Sequence, residues 1–274
     1  MAFLNVSFFS SALKKNAELA VILPSVSADD YLFNDNHPDY YAKGSKYQTL
    51  YLLHGSYGDN MDWTLLTGIY RYAQEHCVAV VMPSGENSSY INMAHGEDYL
   101  TYISEELPSL CPVLFPLSTK REDTFIAGLS MGGYGAFRAA LEHPETYAAV
   151  ASLSGNLGKS ELKNLSAHAS KMPLNYTRAV MGEEMSLKGT DNDLRVLLQK
   201  RLAENAELPA MYHTIGDEDF LRESAEEYLA FAKEQGVEIE YHIHPGVHNW
   251  VFWDRYIQDV LDWLPLKKGM VTGK

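Results

Sequence analysis

Several features are scarce in this sequence of 274 residues, and their scarcity narrows the possible folds. Two cysteines, Cys77 and Cys111, cannot build a disulfide framework, and their spacing is not that of a zinc site. No apolar run reaches the roughly 18 residues that a membrane-spanning helix needs. We find neither internal repeats nor low-complexity tracts. The sequence therefore argues against a disulfide-rich scaffold, a membrane span and a repeat protein.

Basic residues are also few, since 22 Lys and Arg stand against 36 Asp and Glu, for a net charge of -14. Such a surface repels the phosphates of nucleic acid and an anionic membrane surface. We therefore expect neither nucleic acid nor a membrane as a partner. Residues 1–11 are apolar but carry no basic leader, so we interpret them as structure rather than a signal peptide and expect a cytoplasmic protein. The oligomeric state is left open, a homo-oligomer included.

Apolar residues are abundant, at 46% of the chain, and they recur in short runs separated by helix-like stretches. Strands are expected at residues 3–9, 18–23, 47–54, 78–82, 125–129, 148–153, 210–215 and 238–244. Helices are expected at 61–75, 99–110, 135–142, 221–235 and 250–263, with a loop at 29–46. This alternation predicts an α/β fold with a mostly parallel central sheet and helices on both faces. Residues 155–208 interrupt the pattern, and we interpret them as a small cap-like insertion in a single domain of residues 1–274.

A Gly-x-Ser-x-Gly motif, from Gly128 to Gly132, follows one of these strands and precedes a helix-like run. A serine at the tip of such a strand–turn–helix elbow is exposed and lies beside donors for an oxyanion. Glycine is needed on either side of it, because a β-carbon would clash where the strand and helix backbones approach each other. Chance alone would produce the motif in roughly one chain in ten of this length, but its context favours catalysis. We predict Ser130 as the nucleophile.

A serine nucleophile needs a base, and the base needs a group that orients it. Among ten histidines, His248 has the best position, in a loop directly after the last predicted strand. His54 ends a strand beside a glycine, and we expect it to shape that turn. The acid should lie between the serine and the histidine in the chain. Asp217 and Asp219 both fit, and we favour Asp219 because it stands at the end of its turn; the other carboxylate would serve as a helix cap.

The developing oxyanion needs two donors that are already in place. The backbone N–H of Met131, the residue after the nucleophile, is expected to point into the site at the start of a helix. The second donor should come from the turn after the early strand at 47–54. Ser56 is our choice there, and Gly55 is the next candidate.

A metal site is the competing interpretation of the histidines, because His242 and His244 share one face of a strand and His248 follows them. We disfavour it, since no third-ligand motif of similar quality is near and the serine mechanism already accounts for His248. The glycine-rich run after Ser130 lacks the Lys-Ser/Thr ending of a phosphate-binding loop. We therefore predict no metal and no cofactor.

Beyond these motifs, the sequence resembles the esterase D-like α/β-hydrolases, a family that includes S-formylglutathione hydrolases, feruloyl and acetyl-xylan esterases, and mycolyltransferases. Its likeness is greatest to the small bacterial tributyrin esterases. The matching segments cover residues 50–55, 62–63, 80–83, 89–90, 128–136, 216–221 and 245–250. The resemblance implies an α/β-hydrolase fold, the catalytic residues Ser130, Asp219 and His248, and an oxyanion hole formed by the amides of Ser56 and Met131. A second aspartate, Asp217, in the acid's turn departs from the family pattern.

The expected activity is that of a serine carboxylesterase acting on a small ester with a short acyl chain. Four aromatic residues near the predicted loops are candidates for the substrate pocket: Tyr57, Trp63, Phe220 and Trp250. A thioesterase of the S-formylglutathione hydrolase type, a carbohydrate acetyl or feruloyl esterase, and an acyltransferase would use the same residues. A non-catalytic binding protein is disfavoured, because serine, acid and base are all present.

Overall fold

In the computed structural model, residues 1–33, 37–158 and 172–272 are described. The strands within these ranges are β1 (Ala2–Ser10), β2 (Lys15–Leu23), β3 (Ser45–Lys46), β4 (Gln48–Leu53), β5 (Val78–Pro83), β6 (Thr124–Leu129), β7 (Ala149–Leu153), β8 (Ala210–Gly216), β9 (Glu240–His244) and β10 (Val271–Thr272). The α-helices are α1 (Ala28–Phe33), α2 (Asp62–Leu66), α3 (Ile69–Glu75), α4 (Tyr99–Thr101), α5 (Leu107–Leu114), α6 (Met131–Glu142), α7 (Leu174–Met181), α8 (Leu194–Ala203), α9 (Arg222–Glu234) and α10 (Trp250–Trp263).

Eight strands form one sheet in the order β1-β2-β5-β4-β6-β7-β8-β9. The β1–β2 hairpin is antiparallel and joins β5 antiparallel, whereas the strands from β5 to β9 run parallel to one another. Parallel strands end at the same edge, so the loops after β4, β6, β8 and β9 lie on one side of the molecule. The predicted α/β architecture with a mostly parallel sheet is confirmed.

The central strands have apolar residues on both faces because helices cover both. Tyr51 and Leu53 of β4 pack into one core, while Leu50 and Leu52 pack into the other. Side chains alternate across a strand, so an uninterrupted apolar run fills two cores at once. This is why the β4 segment contains only buried residues.

Three segments differ from the sequence-based expectation. The helix expected at 61–75 is divided into α2 and α3, because Thr67 is extended and the Gly68 N–H donates to Asp254 of α10 at 2.7 Å. A short helix, α1, lies within the expected loop at 29–46. The helix expected at 99–110 continues to residue 114 and contains a π-helical stretch, Tyr102–Glu106. The carboxylate of Glu106 accepts a hydrogen bond from the Ser11 N–H at 2.7 Å.

The longer described part of the insertion, residues 172–208, packs beside the helix that follows Ser130. The Arg138 guanidinium of α6 donates to the Asn192 side chain at 2.9 Å, and Leu197 and Leu198 of α8 are fully buried. Residues 159–171 of the predicted insertion lie outside the described residues. Among those that are described, no helix has the length and apolar character to cross a membrane.

Candidate active site

Ser130 joins β6 to α6 in a strained backbone conformation, with φ 51° and ψ -115°. A β-carbon added at Gly128 would lie 2.4 Å from the carbonyl group of Gly132. One added at Gly132 would lie 2.5 Å from the carbonyl oxygen of His54. Both contacts are with backbone, so neither can be relieved by moving a side chain. The prediction that both positions require glycine is confirmed.

The structure brings Ser130, His248 and Asp219 into one hydrogen-bonded chain. Nε2 of His248 is 2.9 Å from the Ser130 hydroxyl, and Nδ1 is 2.9 Å from the nearer oxygen of Asp219. A carboxylate can only accept, so the imidazole proton belongs on Nδ1, and Nε2 is left to accept from the hydroxyl. Asp219 is buried and also accepts the Leu221 N–H at 2.9 Å.

Asp217, the alternative acid, has a different position and different partners. It is exposed, and its carboxylate accepts the Gly246 N–H at 2.9 Å rather than facing the imidazole. The Asp217 N–H donates to the backbone carbonyl of His244 at 2.8 Å, and the Glu218 N–H donates to the backbone carbonyl of Gly246 at 3.1 Å. These bonds join the loop after β8 to the loop after β9. Asp217 therefore holds the two loops together, and Asp219 alone of the pair contacts His248.

The two predicted oxyanion donors, Ser56 and Met131, are both close to Ser130 in the cavity. Met131 is the first residue of α6, so its N–H has no partner within the helix. Ser56 lies in the turn after β4, which a bond from the Gly58 N–H to the Gly55 carbonyl closes at 3.3 Å. Both residues line the same cavity as Ser130.

That cavity has a volume of about 650 Å³ and opens at the carboxyl ends of the parallel strands. Its walls include the elbow, the Ser56 turn, His248, and residues of α2 and α10. A larger cleft of about 1370 Å³ lies between α1, α3 and the residues after α10. None of the predicted site residues lines that cleft, so we assign the chemistry to the smaller cavity.

Comparison with known proteins identifies the family of the chain. A family model described as "Putative esterase" matches residues 10–264. The chain belongs to this family. The esterase is 35% identical over 270 residues to an acetyl esterase of Caldicellulosiruptor saccharolyticus, covering 96% of this chain and 98% of that protein.

Two solved structures from Staphylococcus aureus are also similar to the esterase. One is FphF, a fluorophosphonate-binding serine hydrolase, with a TM-score of 0.84 and 33% identity. The other is the S-formylglutathione hydrolase FrmB, with a TM-score of 0.81 and 32% identity. Each alignment covers 96% of this chain and 98% of the other. The family expected from the motifs is confirmed at the level of an esterase-type α/β-hydrolase.

Three of the four predicted pocket aromatics line the cavity of the esterase: Tyr57, Phe220 and Trp250. The prediction for Trp63 is wrong. Its side chain is fully buried, its indole N–H donates to the Leu53 carbonyl at 3.1 Å, and its ring lies edge-on against Trp250 at 5.4 Å. Trp63 therefore packs in the core against Trp250, which lines the cavity, because α2 directs the Trp63 side chain inward.

Aromatic rings enclose His248 on two sides, and one of them was missed in the sequence. The Phe220 ring lies 4.5 Å from the imidazole, and the Trp253 ring lies 4.9 Å away and nearly perpendicular. The indole N–H of Trp253 donates to the Ser154 hydroxyl at 3.1 Å, which fixes the ring. Nothing in the sequence distinguishes Trp253 from the other apolar residues of an amphipathic helix.

Asp62 is a second cavity residue to which sequence reasoning assigned no role, although it lies in one of the matching segments. Burial raises the pKa of its carboxyl group, and the nearby charge of Asp59 adds to that effect. The backbone of Asp59 also hydrogen-bonds to the Asp62 carboxylate. Asp62, the first residue of α2, is therefore bonded to the segment that follows the Ser56 turn.

The histidines considered as metal ligands lie on the edge strand β9. His242 contacts Glu240 at 2.9 Å, and the His244 ring stacks on Tyr256 at 4.1 Å. Within residues 1–33, 37–158 and 172–272, no group of three or more His, Cys, Asp or Glu side chains is arranged to hold a metal ion. His248, the third residue of that interpretation, contacts Ser130 instead.

Proposed function

We propose that the esterase hydrolyses short-chain acyl esters, with Ser130 as nucleophile, His248 as base and Asp219 as the orienting acid. One observation carries the proposal: Ser130, His248 and Asp219 form a continuous chain with two contacts of 2.9 Å, and the serine end of that chain faces the cavity. A serine, a base and a carboxylate in this order make a neutral hydroxyl nucleophilic.

The mechanism follows from the positions of these groups. The Ser130 oxygen attacks the ester carbonyl carbon while Nε2 of His248 takes the hydroxyl proton, and Asp219 stabilises the imidazolium that forms. The amides of Ser56 and Met131 donate to the carbonyl oxygen as it becomes negative. His248 then gives its proton to the leaving alcohol, and an acyl-enzyme remains. Water, deprotonated by His248, attacks this intermediate, and His248 returns that proton to the Ser130 oxygen as the bond to the acyl group breaks and the carboxylic acid leaves.

The resemblance to the tributyrin esterases supports a short acyl chain. Tyr57, Phe220 and Trp250 line the cavity at Ser130 and would contact that chain. Each methylene that becomes buried would contribute about 0.8 kcal/mol, and each that stays in water contributes nothing. The relative from Caldicellulosiruptor saccharolyticus, an acetyl esterase, supports the same substrate class.

A thioesterase activity is the second candidate, because the similar S-formylglutathione hydrolase FrmB covers nearly the whole chain. The same nucleophile, base and oxyanion donors would serve a thioester. The two activities differ in the leaving group alone. Turnover of S-formylglutathione and of an oxygen ester with the same acyl group therefore separates them.

The proposal is tested by labelling and by a substrate series. A fluorophosphonate probe should modify Ser130 alone, as read by peptide mass spectrometry, and should abolish hydrolysis. With p-nitrophenyl esters, kcat/KM should be highest between acetyl and hexanoyl and should fall beyond octanoyl. Modification of a different residue would refute the serine assignment, and a maximum at dodecanoyl would refute the substrate class.

A further inference from the structure

His54 ends the β4 segment beneath the turn that carries Ser56, and both of its ring nitrogens are hydrogen-bonded. Nδ1 lies 2.6 Å from the Gly55 carbonyl oxygen, and the Gly85 N–H lies 2.8 Å from Nε2. The carbonyl can only accept and the amide can only donate, so the ring must be neutral with its proton on Nδ1. The side chain is buried, and burial lowers its pKa, which agrees with a neutral ring. His54 thus links the Ser56 turn to the loop after β5.

The loop after β5, residues 84–90, makes two more hydrogen bonds to the same turn. The Tyr90 hydroxyl donates to the His54 carbonyl at 3.1 Å, and the Asn87 side chain accepts the Tyr57 N–H at 2.8 Å. Tyr90 is fully buried between two glycines, Gly85 and the Gly135 of α6. The loop is therefore anchored to the helix that begins at the nucleophile.

The far end of the turn is held by Asp62. A β-carbon at Gly58 would lie 1.9 Å from an Asp62 carboxylate oxygen and 3.2 Å from Nδ1 of His54, so both side chains press against this glycine. Against the larger effect of burial, the charges of Asp59 and Glu86 raise the pKa of the imidazole.

We propose that His54 is a positioning residue for the oxyanion hole, and that it acts by fixing the Ser56 turn to the loop of residues 84–90. An oxyanion donor is most effective if it is in place before the charge develops. A turn that must first reorganise loses part of the free energy that the donor contributes to the transition state. Three hydrogen bonds to residues on both sides of Ser56, namely His54, Gly55 and Tyr57, leave Ser56 little freedom of movement. The inference rests on the proposed function, in which the Ser56 amide is one of two donors.

The decisive variant is His54→Leu, which has a similar volume and makes neither ring hydrogen bond. Loss of one oxyanion donor typically lowers kcat by roughly 100-fold to 1000-fold. We expect a decrease of about 100-fold in kcat with KM changed by less than about threefold. Affinity for an alkyl boronate, which places a tetrahedral oxygen in the hole, should fall by a similar factor. His95→Leu, on an exposed side chain far from the cavity, is the matched control and should behave like the wild type.

Two milder variants keep the test valid if His54→Leu does not fold. Tyr90→Phe removes a hydroxyl, and Asn87→Ala removes the acceptor for Tyr57; each should lower kcat about threefold to tenfold, as expected for one hydrogen bond. Asn87→Asp keeps an acceptor oxygen and should restore most of the activity. Wild-type labelling at Ser130 tests the mechanism separately from these variants. A folded His54→Leu enzyme with kcat within threefold of wild type, or variants that raise KM alone, would overturn the positioning role.

Discussion

The two sides of the candidate site are built in different ways. On the nucleophile side, backbone meets backbone, because Gly128 and Gly132 leave no room for a β-carbon between β6, α6 and the end of β4. On the acid–base side, two loops are joined by hydrogen bonds and by rings packed around His248. A close contact between backbones leaves no room for an added side chain, whereas a contact between side chains can be weakened by small changes in their size or polarity. We therefore expect all-or-none effects at the elbow and graded effects at the acid–base loops.

The largest effect is expected at the elbow itself. Ser130→Ala removes the nucleophile without changing the turn, so the protein should fold normally while kcat falls on the order of a million-fold. Steady-state kinetics and thermal unfolding should be measured on the same preparation. Ser109→Ala, which alters a hydroxyl on the exposed side of α5, provides the control. Residual turnover within a hundredfold of wild type would mean that another group attacks the ester.

The next effect separates the two carboxylates of the acid–base side. Asp219→Asn should favour the wrong imidazole tautomer and reduce kcat by about ten-thousand-fold. Asp217→Asn should cost less than about tenfold, because its oxygen still accepts from Gly246 and such a loop bond is worth only about 1 kcal/mol. The two substitutions are two residues apart in one turn, and kcat should be compared at the same pH. The reverse ranking would transfer the acid role to Asp217.

A smaller effect is expected from the ring that covers the base. Phe220→Leu removes an aromatic face 4.5 Å from the imidazole, and a cation held over such a face gains about 0.5–1 kcal/mol. We expect kcat to fall about threefold, with Phe220→Tyr retaining most of the activity because it keeps the ring. If the leucine and tyrosine variants are equally impaired, packing volume rather than the aromatic face is what matters.

The smallest effect on kcat is expected at His213 of β8, a fully buried residue on the acid–base side whose substitution should change stability instead. Burial lowers the pKa of His213 from 6.5 to about 3. Below pH 6.5 the unfolded chain binds a proton that the folded protein does not, so stability falls as the pH drops from 6.5 towards about 3. This residue should contribute about 1 kcal/mol of loss per pH unit in that window. In thermal melts from about pH 7 to about pH 4, His213→Leu should show the shallower dependence; identical slopes would contradict the buried neutral ring.

The residues of the candidate site that are easiest to predict from sequence are those marked by their immediate neighbours in the chain. The glycines around Ser130 predict it as the nucleophile, and the position of His248 after the last strand predicts it as the base. Asp219 was preferred over Asp217 on turn position alone, and the contacts that distinguish them come from β8 and β9, which are neighbours in the sheet. Strand pairing of this kind is a tertiary property that no local pattern in the sequence reports.

Other features could not be predicted because distant residues determine them. The break between α2 and α3 depends on Asp254, which lies almost two hundred residues later in the chain. Trp63 was expected at the pocket, but the same helix directs it into the core. His54 was expected to shape its turn, and the partners that do so, Gly85 and Tyr90, belong to another loop. Sequence periodicity indicates which face of a helix or strand is apolar, but it does not indicate which residues pack against that face.

The contact between Gly132 and the carbonyls of Leu53 and His54 also bears on how such enzymes diversify. On the proposed mechanism, this main-chain contact sets the position of the Ser130 oxygen relative to the Ser56 turn, so we expect few single substitutions to change that spacing by a small amount. A lineage adapting to a new ester must therefore keep the reaction centre and change the rim, at positions such as Tyr57, Leu66 and Phe220. Laboratory evolution of specificity would be expected to enrich changes at those rim positions and to leave the elbow glycines untouched.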